Sequence, residues 1–304
     1  MAAAFSTKAS RQRSLRGDEA AKTSAARLSI VVAAFLIALK AATGLITGSI
    51  SVWASLLDSV LDICASLINY VVVRIAALPA DEDHNYGHGK SESLGGLFQS
   101  IAIAISGIFI IRAAIHRIVA PVGTSAEWIG ISAMFVSLVI SGALALRLTR
   151  VARRTESPAI HSDAAHYIVD IGTTLSALMA LVISALTGWK LADPLISIGI
   201  SLYILWTAIG IARHSVDVLM DRHLGEDVNE RVARIVTRYE DSGVRGFHEL
   251  RTRRSGSYKF VELHLEVDQR KSFREAHDLT VLVIRAIEAE MPRTRVHIHT
   301  DPVD

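Results

Sequence analysis

The stretch ISVWASLLDSVLDICASLINYVVVRI, residues 50–75, is long and apolar enough to cross a bilayer, yet it carries Asp58 and Asp62 one helical turn apart. Residues i and i+4 project from the same helix face, about 6 Å apart along the axis. A second apolar run repeats the spacing with His166 and Asp170. Ionisable groups at membrane depth are costly and rare, so four of them at matched spacing point to a place where something charged is bound or moved. Two such helices face to face offer three carboxylates and one imidazole, a donor set for tetrahedral Zn²⁺ or a similar divalent ion. The plainer alternative pairs each acid with a base or leaves it a satisfied core residue. No Lys or Arg shares those turns, and unpaired buried carboxylates are expensive, so a metal accounts for them better. The same ligands shed protons to bind metal and regain them on release, which suits proton exchange.

Outward from this stretch, 51% of the 304 residues are hydrophobic and the mean hydropathy is +0.37, too apolar for an ordinary soluble domain. The apolar content fills the first two thirds; from about Asp221 the chain is charged and ordinary. A membrane domain followed by a small soluble domain is expected. A net charge of +2 with no basic stretch interleaved with aromatics argues against nucleic-acid binding. The single cysteine, Cys64, excludes an intrachain disulfide and any multi-cysteine metal site, and its spacing from Asp62 assigns it to packing. Residues 1–27 carry Lys8, Arg11, Arg13, Arg16, Lys22 and Arg27 among Ala and Ser and read as a disordered basic cytoplasmic tail. Asp18 and Glu19 disfavour a transit peptide.

Six apolar segments are long enough to span, at about 28–47, 52–76, 94–118, 127–148, 162–187 and 192–212. The tail before the first and the link holding Arg147, Arg150, Arg153 and Arg154 are basic, whereas residues 47–51 lack Lys and Arg. The positive-inside rule then puts both termini in the cytoplasm of a multi-pass inner or plasma-membrane protein. Arg112, His116 and Arg117 depart from this pattern near the outer end of span three and are assigned to snorkelling. The chain thus divides into the tail, a transport domain at 28–213 and a soluble domain at 214–304. In the latter, 226–241 reads as helix, 247–253 and 258–268 as strands about a Ser255-Gly256-Ser257 turn, 272–291 as helix and 295–300 as strand. That order suits a small α/β sandwich.

Two further clusters hold metal-type ligands. In the link after span two, Asp81, His84 and His88 can converge on one ion, with Gly87 and Gly89 permitting tight turns; a solvated polar loop is the alternative. In the soluble domain His248, His264, His277, His297, His299 and Asp301 fall near element ends, and 297–301 puts alternate side chains on one strand face. Surface histidines need no explanation individually, so spacing alone leaves this cluster open.

Asp58-Ser-Val-Leu-Asp62, the run His84-Asn-Tyr-Gly-His-Gly-Lys90-Ser-Glu92 and His166-Tyr-Ile-Val-Asp170 resemble the cation diffusion facilitator family, and most of all its bacterial ferrous-iron and zinc efflux members. His248-Glu-Leu-Arg-Thr-Arg253, His264-Leu-Glu and His299-Thr-Asp301-Pro302 resemble that family's cytoplasmic domain. The likeness implies a homodimeric divalent-cation/proton antiporter: six transmembrane helices, then a ferredoxin-like, metallochaperone-like cytoplasmic α/β domain. It implies that Asp58, Asp62, His166 and Asp170 form the transport site. Asp81, His84 and His88 match a peripheral site. His248, His264, His299 and Asp301 match a binuclear cytoplasmic site to which His277 contributes, and Lys90 and Asp221 match a charge interlock. The basic tail and His297 fall outside the matched pattern.

The expected activity is efflux of Zn²⁺, also Fe²⁺ or Cd²⁺, by proton antiport, with the metal as substrate and regulatory ligand and no prosthetic group. A manganese- or iron-selective exporter of the same family is the nearest alternative. A membrane metalloenzyme is more distant, because the ligands are carboxylate-rich and no His-Glu-x-x-His run is present. A metal sensor using only the soluble histidines leaves the intramembrane acids unexplained.

Overall fold

Long apolar runs punctuated by Gly, Pro and short polar links give six helices: α1 Ala2–Thr47, α2 Ile50–Ala76, α3 Ser91–Val119, α4 Trp128–Thr155, α5 Pro158–Thr187 and α6 Ala192–Leu219. The computed structural model describes residues 2–47, 50–119, 128–187, 189 and 191–304. Among the described residues, Arg16–Ile46, Ser91–Val119, Ser132–Thr155 and Pro194–Leu219 are long and apolar enough to cross a membrane, with mean hydropathy from 1.7 to 2.2. Helices α2 and α5, of 27 and 30 residues, carry the paired ionisable groups and exceed the roughly 20 residues a bilayer crossing needs. Large apolar side chains such as Phe98, Ile101, Ile105, Ile108 and Phe109 on α3 face outward, the pattern of a bundle solvated by lipid.

Within the first unit the core is built by small residues that let helices approach. Ala25 and Ala26 of α1, Ala145 and Ala152 of α4 and Ala159 and Ala164 of α5 are buried with Leu148, Ile160 and Tyr167. A second cluster joins Ile103 of α3, Val169 of α5 and Ile204 and Ala208 of α6. Gly96 sits where a Cβ would come within 2.7 Å of the Ser215 hydroxyl and 2.9 Å of that of Ser162, so a larger residue would push both hydroxyls aside where α3 approaches α5 and α6.

Three sequence expectations differ from the structure here. Residues 1–27, read as disordered, are helical from Ala2 onward, and from Arg16 they pack: Asp18 accepts from the Arg154 guanidinium at 2.9 Å, and Lys22 pairs with Glu92 at 2.9 Å. Ala, Lys and Arg are strong helix formers, and the partners of these charges lie 70 or more residues away, beyond local pattern. The basic link after span four is helical as well. Helix α4 runs to Thr155, Glu156 takes a left-handed φ of 51°, and Pro158 starts α5 where its missing N–H costs nothing. Cys64, assigned to packing, is exposed on α2. His116 and Arg117 occupy the last turn of α3, where cations complement the helix dipole.

The second unit begins at Asp217. Helix α7 (Glu226–Thr237), strands β1 (Val244–Ser255) and β2 (Tyr258–Asp268), helix α8 (Phe273–Glu290) and strand β3 (Thr294–Val303) follow the ferredoxin-like order without its first strand. Strands β1 and β2 form an antiparallel hairpin through Gly256, at φ 56°, and β3 returns parallel to β2 after α8. Period-two alternation buries Val261, Leu263, Leu265 and Val267 against Val232 and Ile235 of α7 and Leu279, Val283 and Ile287 of α8. The other face of the sheet is left polar. Ser272 caps α8 through a reciprocal box with Glu275.

Candidate metal sites

The facing pairs come together in the bundle. The His166 Nε2 atom of α5 lies 3.0 Å from Asp62 Oδ1 of α2 and 3.6 Å from Asp170 Oδ2, and the three residues present ligand atoms all within 4.8 Å of one another. His166 is buried while the two carboxylates are partly open, so the imidazole anchors a site that an ion can reach. Asp58 lies one turn before Asp62 on α2; its side chain is outside the described residues.

The surroundings hold groups that local reading missed. Lys40 of α1 reaches across to the Ser59 hydroxyl at 2.6 Å, so a cation stands beside the turn that holds Asp58. Asp163, one turn before His166, is 1% exposed and accepts from Ser29 at 2.6 Å, while the Tyr167 hydroxyl donates to the Ser29 carbonyl at 3.2 Å. Among the described residues, the buried Asp163 Oδ1, Ser66 Oγ, Asn69 Nδ2 and His166 Nδ1 have no hydrogen-bond partner. Buried polar atoms of this kind hold internal water when room exists. Spacing did carry a signal: Ser66 and Asn69 follow Asp62 at i+4 and i+7, and Asp163 precedes His166 by three.

In the loop after α2, Asp81 gathers both histidines, with His84 Nδ1 and His88 Nε2 each 3.2 Å from its carboxyl oxygens. The imidazole rings stand 4.6 Å apart, and Gly87 turns the chain at φ 83°. The His84 backbone N–H donates to Asp81 at 2.6 Å and, with the nearby imidazoles, holds that carboxyl below its usual range. Spacing left a loose polar loop open as an alternative; the loop instead presents three ligand atoms to one point.

The C-terminal sheet presents the third group on its polar face. His264 Nδ1 lies 2.8 Å from Asp301 Oδ2, His248 Nε2 lies 3.5 Å from the same atom, and His299 Nε2 lies 3.2 Å from Asp301 Oδ1. The His264 hydrogen bond, aided by the other imidazoles, keeps the Asp301 carboxyl depressed. A bulge between His248 and Arg251, with Glu249 at φ 49°, turns His248 onto the same face as His264. Glu266, 3.0 Å from His248 Nδ1, joins the group and was not anticipated. His277 does not join: it sits on α8 with its ring 6.4 Å from that of Phe273. Asp221, at φ 56°, lies 3.4 Å from Arg253 within the second unit.

Comparison with known proteins agrees with this architecture. Residues 26–220 match the family model of the cation efflux transmembrane domain, and residues 224–303 match that of the cation efflux protein cytoplasmic domain. The chain is 40% identical over 256 residues to the cation-efflux pump FieF of Klebsiella pneumoniae subsp. pneumoniae, covering 84% of each protein. It is 38% identical over 278 residues to that of Escherichia fergusonii, covering 91% of this chain and 92% of the relative. A solved CzrB chain in its Zn form aligns at 30% identity over 27% of this chain and 92% of that one, with a TM-score of 0.26. A six-helix membrane bundle followed by this small α/β domain, matched along almost its whole length, makes the chain a member of the cation diffusion facilitator family.

Proposed function

We propose that the chain exports a divalent metal ion, Zn²⁺ foremost and also Fe²⁺ or Cd²⁺, across the inner or plasma membrane in exchange for protons. The observation that carries this reading is the convergence of Asp62, His166 and Asp170 from two membrane helices on one point; in the proposed cage Asp58, one turn before Asp62 on α2, is the fourth ligand. The relatives are cation-efflux pumps by name, which supports the direction of transport.

Metal enters from the cytoplasm and binds the deprotonated carboxylates and neutral imidazole. The bundle then rocks outward, and external protons compete for the same ligands and release the ion. Both termini are cytoplasmic, the working unit is a homodimer, and the transport and soluble domains occupy 28–213 and 214–304. The loop site of Asp81, His84 and His88 and the sheet site of His248, His264, His299 and Asp301 are regulatory. Metal on the sheet biases the bundle through differential affinity for its two states.

In proteoliposomes, Asp62→Ala or Asp170→Ala abolishes metal-driven proton flux; flux at the wild-type rate in either variant removes this cage from transport. One imidazole among three carboxylates suits borderline ions, so His166→Asp shifts preference toward Mn²⁺ in a competition assay. Equal Zn²⁺ transport by that variant refutes the role given to the imidazole.

A further inference from the structure

Asp62, Ser66 and Asn69 lie at i, i+4 and i+7 and share one face of α2, while Asp163, His166, Tyr167 and Asp170 share one face of α5. Helix α1 holds Oδ2 of Asp163 through the Ser29 hydroxyl at 2.6 Å, and the Ser29 carbonyl accepts from the Tyr167 hydroxyl at 3.2 Å. Asn69 stands beside Asp163 and Ser66 beside Tyr167, each short of a direct hydrogen bond. Among the described residues, Asp163 Oδ1, Ser66 Oγ, Asn69 Nδ2 and His166 Nδ1 are thereby left without a partner, on side chains only 1%, 1%, 5% and 5% exposed. Fastening α5 to α1 occupies Oδ2 of Asp163 alone and leaves all four of these atoms stranded, which burial penalises. Around a single water they balance. His166 Nδ1–H and Asn69 Nδ2–H donate to its lone pairs, and Asp163 Oδ1 and Ser66 Oγ accept its protons.

We propose that Asp163 is a positioning residue of the metal site: with Ser66 and Asn69 it holds a buried water that accepts the Nδ1–H of His166, so that Nε2 meets the ion with its lone pair. A neutral imidazole carries its proton on one nitrogen only. The Nε2 atom faces Asp62 at 3.0 Å and Asp170 at 3.6 Å, so it is the nitrogen that must be free of a proton when a cation binds. The proton then belongs on Nδ1. An acceptor behind Nδ1 selects that tautomer, fixes the plane of the ring and makes the imidazole a better donor to the metal. Asp163 itself stays off the ion. Its two oxygens divide the work, Oδ2 bound to Ser29 of α1 and Oδ1 turned to the water, so α1 gains a hold on a ligand carried by α5.

The inference rests on the reading that Asp62, His166 and Asp170 carry the transported ion, and the test separates the two. Zn²⁺ uptake into proteoliposomes of the full-length chain gives KM and maximal rate for the wild type, Asp163→Leu, Asp163→Asn, Asn69→Leu and His166→Asp, and for each leucine variant combined with His166→Asp. Losing the hydrogen-bond partner behind a metal-bound imidazole costs about 10–100-fold in metal affinity. KM is expected to rise by about that factor in Asp163→Leu, to rise less in Asn69→Leu, and to stay near the wild-type value in Asp163→Asn, which keeps an acceptor oxygen. In the His166→Asp background neither leucine variant changes KM further, because the imidazole through which they act is gone. A wild-type KM in both leucine variants, with His166→Asp impaired, overturns the positioning role alone. An equal rise with and without His166→Asp also overturns it, since a merely structural role acts in both backgrounds. A wild-type KM in His166→Asp overturns the cage itself. If Asp163→Leu does not reconstitute, Asn69→Leu carries the same comparison.

Discussion

Lys22 shows how much one side chain can settle. Its amine is 2.9 Å from Glu92 and 2.7 Å from Glu19, and Glu92 also accepts from Ser157 at 2.5 Å, so α1, α3 and the turn before α5 meet at one buried point. Both Lys22 and Glu92 are almost fully buried. Removing one partner strands the other charge, at a cost of about 3–5 kcal/mol, whereas replacing both with apolar residues of similar size is far less damaging. Lys22→Met is therefore expected to lower the thermal unfolding temperature of the detergent-solubilised protein, and Lys22→Met with Glu92→Met to recover most of the loss. An unchanged melting temperature in the single variant means the pair does not stabilise the bundle.

At the level of elements, charged pairs fasten the ends of β2 and α8. The Arg270 side chain and backbone N–H bind Asp268, with Arg245 at 2.6 Å, and depress its carboxyl far below the usual range. Arg238 does the same for Glu290 at the end of α8. A group whose folded pKa is depressed contributes stability that is fully present above its unfolded pKa and is lost as pH falls toward the folded one. The loss thus begins below about pH 4 for Asp268. Hydrogen exchange of β2 amides in the full-length protein is expected to accelerate on acidification through that range, and Asp268→Asn to flatten the dependence. Acceleration of equal size in the variant assigns the effect to other groups.

Element type was legible where pattern is strong. Val261–Asp268 alternates without a break, and the strand Tyr258–Asp268 has the expected ends. The expected helix at 272–291 is realised as Phe273–Glu290 with Ser272 as its cap. Helix α7 was over-read to 241 because the acidic pair Glu240 and Asp241 continues its composition; the chain instead tightens into a 3₁₀ turn and reverses at Gly243, φ 106°. The odd spacing of His248 and Arg251 on one face could not be read from alternation, since it depends on a bulge.

At the scale of the whole molecule, two units with separate cores predict separable behaviour. A chain truncated after Asp221 is expected to keep Zn²⁺ binding at Asp62, His166 and Asp170 while losing the ions held on the sheet and part of the transport response. Loss of all metal binding on truncation refutes that separation. The meeting of Asp62, His166 and Asp170 was legible, because an acid in an apolar run is anomalous wherever the run ends up and i,i+4 spacing guarantees a shared face.

Hydropathy and periodicity, which are local properties of a chain, were enough to specify the membrane helices, the order of elements in the soluble domain and the pairs of ionisable residues one turn apart in two apolar runs. Tertiary packing alone decided that the basic N-terminal stretch docks as helix, that Lys40, Asp163 and Glu266 stand around the ligands, and that His277 stays apart. Those outcomes depend on which residues meet across tens of positions, and pairing between distant segments is set by the summed burial of whole faces, not by any neighbourhood along the chain.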